Sequence, residues 1–318
     1  MPKGLYSQTF CLLTNGEMVI SEIRSALIDG GFDVVKNKVA SPTAWISGPS
    51  VVVSYSPEIN GYAFVDVVNH AWPDAMGNPK TDFEIFGAWG LGQFGPFTYP
   101  GGLLRATQNC WSSPGAAAAA QSHSGFVRIR LGYSAGLPTS PCLPKGCDPL
   151  HELNYLSNLT ETLLSKTNAI CYFNPNGEVL AERGEFIQIL NESKQQQKIP
   201  LPLWTNVRLY RVDEEFMLMD SVGNGQLDVS DVEAIFPISR YQPNEVGYYL
   251  RNLTHYSLEI RRRMKVEGPI DGPGESNLSW MAELRDSGVV QPPRKVTRLY
   301  PQDLKEHINA LLPPIGAL

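Results

Sequence analysis

Stretches that alternate with a period of two come in clusters along this chain, and single stretches with helical spacing separate the clusters. The opening run from Leu5 to Leu13 is apolar and strand-like; Asn15-Gly16 turns it into a helix that Ser21 can cap and Gly30-Gly31 can end. Two long strands are expected next, AWISGPSVVVSYS with its β-branched Val51 to Val53 run and GYAFVDVV from Gly61 to Val68. A helical stretch near FEIFGAW, a Gly/Pro-rich loop, a helix from about Leu103 to Ala120 and the strand FVRIRLGY complete a first half. LPTSPCLPKGC, from Leu137 to Cys147, reads as a linker.

The order then begins again. Asp148 and Pro149 supply an N-cap and a first-turn proline for a helix carrying Leu153, Leu156, Leu159 and Leu163. The strand AICYFNPNGEVL follows, and then TNVRLYRV and EFMLMDSV, joined into a hairpin by the acidic turn Asp213-Glu214-Glu215. A helix from about Asn244 to Arg262 buries Val246, Tyr249, Leu250, Leu253 and Ile260, and the strands NLSWMAEL and RKVTRLY close the chain. A doubly wound parallel sheet would alternate one strand with one helix throughout. Clustered strands predict an α+β fold: two related strand-helix-strand-strand-helix-strand halves with mixed or antiparallel sheets, divided as residues 1–140 and 141–318. Asn15-Gly16-Glu17 and Asn176-Gly177-Glu178 occupy matching places after an apolar strand, which suggests an internal duplication.

Composition narrows the function classes. The 28 glycines and 25 prolines, against only 18% charged residues, describe a globular chain rich in ordered turns. A net charge of −6 argues against a general phosphate-binding surface and hence against nucleic acid as the partner. No stretch is apolar for long enough to span a bilayer, and MPKGLYSQTFCLLTNGE lacks a signal peptide's apolar core, so a cytoplasmic protein is expected. Five scattered cysteines form no disulfide framework and are expected to be reduced thiols.

Several motifs touch catalytic or metal chemistry. In DSVGNGQLDVSD, from Asp220 to Asp231, the acidic spacing follows a calcium loop, with Asn224, Gly225, Leu227, Asp228 and Asp231 on the template. Val222, however, offers no oxygen at the third position, and FMLMDSV has a strand's period where an EF-hand needs its entering helix. A turn at Gly223 to Gly225, a short strand QLDV and a helix DVEAIF capped by Ser230 account for the same residues, so no metal is expected. Gly90 to Gly95 spells G-x-G-x-x-G, but a helical pattern precedes it and Pro96 follows, the reverse of a dinucleotide site. Gly132-Tyr133-Ser134-Ala135-Gly136 fits a nucleophile elbow after a strand, with His255 or His307 as formal partners, yet three prolines follow where the elbow needs a helix. Cys142 and Cys147 lack a second ligand pair for zinc, and His70 beside Trp72 and Asp74 reads as a hydrogen-bonded loop residue. No cofactor and no catalytic set is expected from these patterns; a serine hydrolase using Ser134 is the enzymatic alternative.

Between Arg211 and Glu233 stand seven acids against one arginine. Such a cluster blunts a strand edge or docks a basic partner. The residues proposed to meet a partner are Asp213, Glu214, Glu215, Asp228, Asp231 and Glu233.

WPDAMG (Trp72 to Gly77), GQFGPFTYPGGLLRA (Gly92 to Ala106), CYFNPNGE (Cys171 to Glu178), LWTNVRL (Leu203 to Leu209) and MDSVGNGQLDVSDVEA (Met219 to Ala234) together resemble a bacterial domain-of-unknown-function family encoded near type VI secretion components. Within it the chain is similar to immunity proteins of the TsiT type. The resemblance implies a cytoplasmic, non-enzymatic antitoxin that binds and neutralises a cognate effector, a nuclease. It carries over no functional residue position by position. An adaptor of the secretion apparatus is the remaining alternative.

Overall fold

Clustered strands and intervening helices build two sheets in the computed structural model of the chain, which describes residues 3–41, 44–46, 48–134, 143–259, 267–274 and 279–311. The class is α+β with antiparallel and mixed sheets. The chain divides into two compact units, Met1–Trp204 and Thr205–Leu318.

The first unit runs β1 (Gln8–Thr14), α1 (Ile20–Asp29), β2 (Val34–Lys38), β3 (Ser50–Ser56), β4 (Gly61–Val68), α2 (Phe83–Gly90), α3 (Gly102–Gln108), α4 (Pro114–Ser122), β5 (Gly125–Gly132), α5 (Pro149–Lys166), β6 (Ala169–Asn174), β7 (Val179–Glu182), α6 (Arg183–Gln196) and α7 (Leu201–Trp204). Its seven strands pair in the order β2-β3-β4-β5-β1-β6-β7, every neighbour antiparallel. On one face α5 lies over β1, β5 and β6, flanked by α1 and α6. On the other, α2, α3, α4 and their aromatic loops pack on a core that includes Cys11, Leu13, Phe126 and Phe173. With both faces covered, β1 and β5 are buried at every residue, which is why Phe10 to Leu13 form an unbroken apolar run inside β1.

The division expected at residue 140 is displaced to 204. β1 takes β5 on one side and β6 on the other, so strands from both proposed halves share one sheet. The long helix expected near residues 103–120 is two helices. Pro114 starts α4 in its first turn, and the Asn109 side chain folds back to the Arg105 carbonyl, ending α3.

Inside this unit three charges are buried together. Arg128 donates to both Asp66 oxygens at 3.2 and 2.5 Å, Arg130 donates to Oδ1 at 2.8 Å, and Arg130 also reaches Gln93. Burial pushes the Asp66 carboxyl up, but Arg128 and Arg130 outweigh it and hold it below its ordinary value. A carboxyl depressed in the folded state contributes stability that is fully present above its unfolded pKa and lost as pH falls through the folded one. Acid titration followed by tryptophan fluorescence is therefore expected to lose stability below the ordinary aspartate range, and Asp66→Asn to flatten that limb. An unchanged slope in the variant would remove Asp66 from the acid response.

The second unit runs β8 (Asn206–Arg211), β9 (Phe216–Val222), β10 (Asp231–Pro237), α8 (Pro243–Glu259), β11 (Gly268–Asp271), β12 (Ser279–Arg285), β13 (Val296–Pro301) and α9 (Lys305–Leu311). The order is β11-β12-β13-β10-β9-β8, with β10 and β13 parallel and the other pairs antiparallel. Val246 and Leu250 of α8 pack with Val232, Ala234, Phe236 and Trp280 on one face. Ile308 of α9 packs with Phe216, Leu218, Ile235 and Tyr300 on the other. Thus DVEAIF, expected as a helix, is the strand β10: Val232, Ala234 and Phe236 face α8, while Asp231, Glu233 and Ile235 face away. QLDV, expected as a strand, begins inside a 3-10 turn over Asn224–Leu227. No helix among the described residues is long and apolar enough to cross a membrane.

Candidate partner-binding site

The six acidic residues proposed to meet a partner separate into a buried group and an exposed group. Asp231 and Glu233 are buried at 5% and 0% exposure. The strand register makes the reason visible. Arg208 pairs across to Asp220, Asp220 to Glu233, Glu233 to Arg298 and Arg298 to Glu283, so a row of charge crosses five strands on one face. Like charges at Asp220 and Glu233 stand opposite each other, a repulsive arrangement that opposite charges must offset. Arg208 donates to Asp220 at 2.9 and 2.5 Å, and Arg298 to Glu233 at 2.5 Å. From the segment between β12 and β13, Arg294 reaches Asp220 and lies 3.2 Å from Asp231, while the Val289 amide donates to Glu233 at 2.9 Å. Burial pushes the Asp231 carboxyl up, against the pull of Arg294. These two acids are internal structure and are withdrawn as partner contacts. Asp228 is exposed, but it sits beyond the far end of β9, whose seven residues span roughly 20 Å.

Asp213, Glu214 and Glu215 form the exposed group, at the turn between β8 and β9. Asp213 serves the turn itself: its Oδ1 accepts from the amides of Glu215 and Phe216 at 2.8 and 2.7 Å. Glu214 and Glu215 are left facing outward, and among the described residues no cation pairs with either side chain. They rim an open groove of about 520 Å³ whose other walls are Phe216, Pro237, Ile238, Ser239, Arg240 and Leu304. Three local features hold it. The Ile238 amide donates to the Glu215 carbonyl at 2.9 Å, tying the two walls. His307 of α9 stacks on Phe216 at 5.0 Å. Arg240 pairs with Asp303 at 2.6 Å, so its charge is already answered. The result is an apolar floor with unpaired carboxylates on one lip. A lysine or arginine fits such a shape, because its aliphatic stem can lie on the floor while its cation reaches the rim.

The other motifs resolve as scaffold. Asp220 and Asp231 of the calcium-like spacing face arginines, and β9 stands where an entering helix would be needed. The G-x-G-x-x-G begins on the last residue of α2, and Gly95, at φ +134, has no room for a side chain: a Cβ would come within 2.5 Å of Asn176 and Thr98. Asn176 in turn accepts from the Phe97 amide and donates to the Thr9 carbonyl. Asp74 caps α3 through the Leu103 and Leu104 amides, both at 2.9 Å, and Arg105 holds Glu178. The motifs WPDAMG, GQFGPFTYPGGLLRA and CYFNPNGE thus meet one another and pin the aromatic loops to the sheet. His70 stacks on Trp45 at 5.0 Å. Ser134 follows β5 beside Tyr133, which turns inward to donate to buried Glu152 at 2.6 Å; the residues that would form an elbow's helix, 135–142, and Cys142 with them, lie outside the described residues. His255 and His307 belong to the second unit, Ser134 to the first.

Sequence reasoning placed the hairpin acids and missed the floor. Pro237 and Ile238 directly follow DVEAIF, a segment read as helix, and Arg240, Leu304 and His307 carried no pattern that ties them to residue 215. Comparison of the chain with protein-family models, curated proteins and solved structures returned no match.

Proposed function

We propose that this chain is a toxin-neutralising binding protein, an immunity protein that occludes the basic surface of a type VI nuclease effector in the cytoplasm. The observation that carries the reading is the groove: Glu214 and Glu215 are exposed and unpaired beside an apolar floor, while Asp220, Asp231 and Glu233 are consumed by arginines. A nuclease must present cations to bind phosphates, and an inhibitor that meets those cations with carboxylates gains both association rate and coverage. The family resemblance of the five motifs supports the same reading.

The test uses the protein that the chain captures from its native host. Expressed alone, that protein is expected to stop growth, and co-expression of this chain to restore it. Charge reversal at Glu214→Lys with Glu215→Lys is expected to slow association about tenfold or more at low salt and to flatten its salt dependence. The fold should survive, since both side chains are exposed. Unchanged association kinetics would remove the groove from the account, and growth unaffected by the captured protein would remove the toxin.

A further inference from the structure

α4 carries no charged residue, and it ends at Ser122 with His123 in an extended conformation, φ −65 and ψ 147. The imidazole there joins two segments. Its Nδ1 lies 2.5 Å from the Ala120 carbonyl, one of the acceptors that a helix end leaves open, and its Nε2 accepts from the Trp72 amide at 2.7 Å. A carbonyl can only accept and an amide N–H can only donate, so the tautomer is fixed: the proton sits on Nδ1 and the lone pair on Nε2. The half-buried ring thus ties α4 to the loop after β4. On that loop Trp72 is the residue around which Phe94, Phe126 and Phe173 meet.

We propose that His123 is a pH-sensitive latch that holds the Trp72 loop to α4 while its imidazole is neutral and releases it on taking up one proton. Protonation puts an N–H on Nε2, directly opposite the N–H of Trp72, and two donors cannot share that contact. A helix C-terminus ordinarily favours a protonated histidine. Here burial outweighs the Ala120 carbonyl and the Asp74 charge and holds the ring below its ordinary value of 6.5. The charged and titratable groups of the surrounding elements are engaged elsewhere. Asp74 caps α3, Arg105 of α3 holds Glu178, Glu182 lies against Gly115 at the opposite end of α4, and His70 stacks on Trp45. Glu17 is exposed in the turn after β1, whose Gly16 amide donates to Ser124. None is hydrogen-bonded to the His123 ring. A histidine depressed in the folded state contributes stability that is fully present above its unfolded pKa and lost as pH falls from there through the folded one. That window begins well above the aspartate range in which Asp66 responds, so the two losses separate.

Near-UV circular dichroism and binding of the dye ANS, followed on the full chain from about pH 8 to about pH 5, test this. The wild type is expected to lose its tryptophan band and gain dye binding reversibly, with a midpoint below 6.5 and the far-UV signal retained. His123→Gln, whose side-chain oxygen can accept from Trp72 and whose amide can donate to Ala120 without titrating, is expected to keep the band throughout. His70→Gln should titrate as the wild type does. Nitrogen chemical shifts of the His123 ring at neutral pH give a second reading on the wild type itself, and the proton is expected on Nδ1. A tautomer with the proton on Nε2, a wild-type band that stays level, a transition that persists in His123→Gln or one that vanishes in His70→Gln would each overturn the latch.

Discussion

Asp220→Ala is expected to destabilise the second unit by about 3–5 kcal/mol, the usual consequence of removing one member of a buried ion cluster. Asp220 has no exposure, and it answers two guanidiniums, Arg208 at 0% side-chain exposure and Arg294 at 6%. Its removal leaves both cations in a low-dielectric interior, with Arg294 retaining Asp231 at 3.2 Å. The loss should appear in urea unfolding as a lower midpoint at unchanged slope, followed through Trp280, which lies in the core under α8. Asp220→Asn, which keeps a hydrogen-bond acceptor but no charge, tests the same point: if charge is what matters, it should lose nearly as much. A loss below about 1 kcal/mol from either variant would mean that water reaches the arginines, since exposed pairs are worth that little.

Trp72→Ala is expected to cost the first unit a similar amount, about 3–5 kcal/mol, through a cavity and not a charge. Trp72 is 5% exposed and lies 5.1 Å from the rings of Phe94 and Phe173, 5.3 Å from Phe126 and 6.3 Å from Trp89. It is therefore the residue through which the loop after β4 and the loop after α2 meet the sheet. Near-UV circular dichroism should lose intensity, since four aromatic partners lose their neighbour, while the backbone signal persists in conditions that favour the native state. Trp72→Phe retains a ring and should cost less. Equal stability of the alanine variant and the wild type would show that this loop is not part of the core.

Local pattern made most of the elements readable, and long-range pairing decided what was not. The strands GYAFVDVV and FMLMDSV and the helix carrying Leu153 to Leu163 stand where period and capping placed them, whereas of the expected strand AWISGPSVVVSYS only Ser50–Ser56 is strand among the described residues. DVEAIF misled because Ser230 ahead of it suggested a helix cap, while the partners of its acids, Arg294 and Arg298, lie some sixty residues on. The same distance explains the site. Glu214 and Glu215 were legible as an acidic turn, but exposure separates them from Asp231 and Glu233, and exposure depends on which arginines fold over which strand. The unit boundary was misplaced because a proline-rich segment after β5 resembles a linker, whereas β1 pairs with β6 beyond it. The loop motifs around Trp72, Gly95 and Asn176 and the acids of Asp220 to Glu233 serve loop pinning and the buried charge row, so the recognition surface is read from exposed residues instead.

Photo-cross-linking from a reactive amino acid placed at Ser239, an exposed wall of the groove, tests the central claim in the native host. The account predicts a single dominant adduct with a protein of basic surface, abolished by Glu214→Lys with Glu215→Lys. Adducts that form equally well in the charge-reversed variant would contradict it.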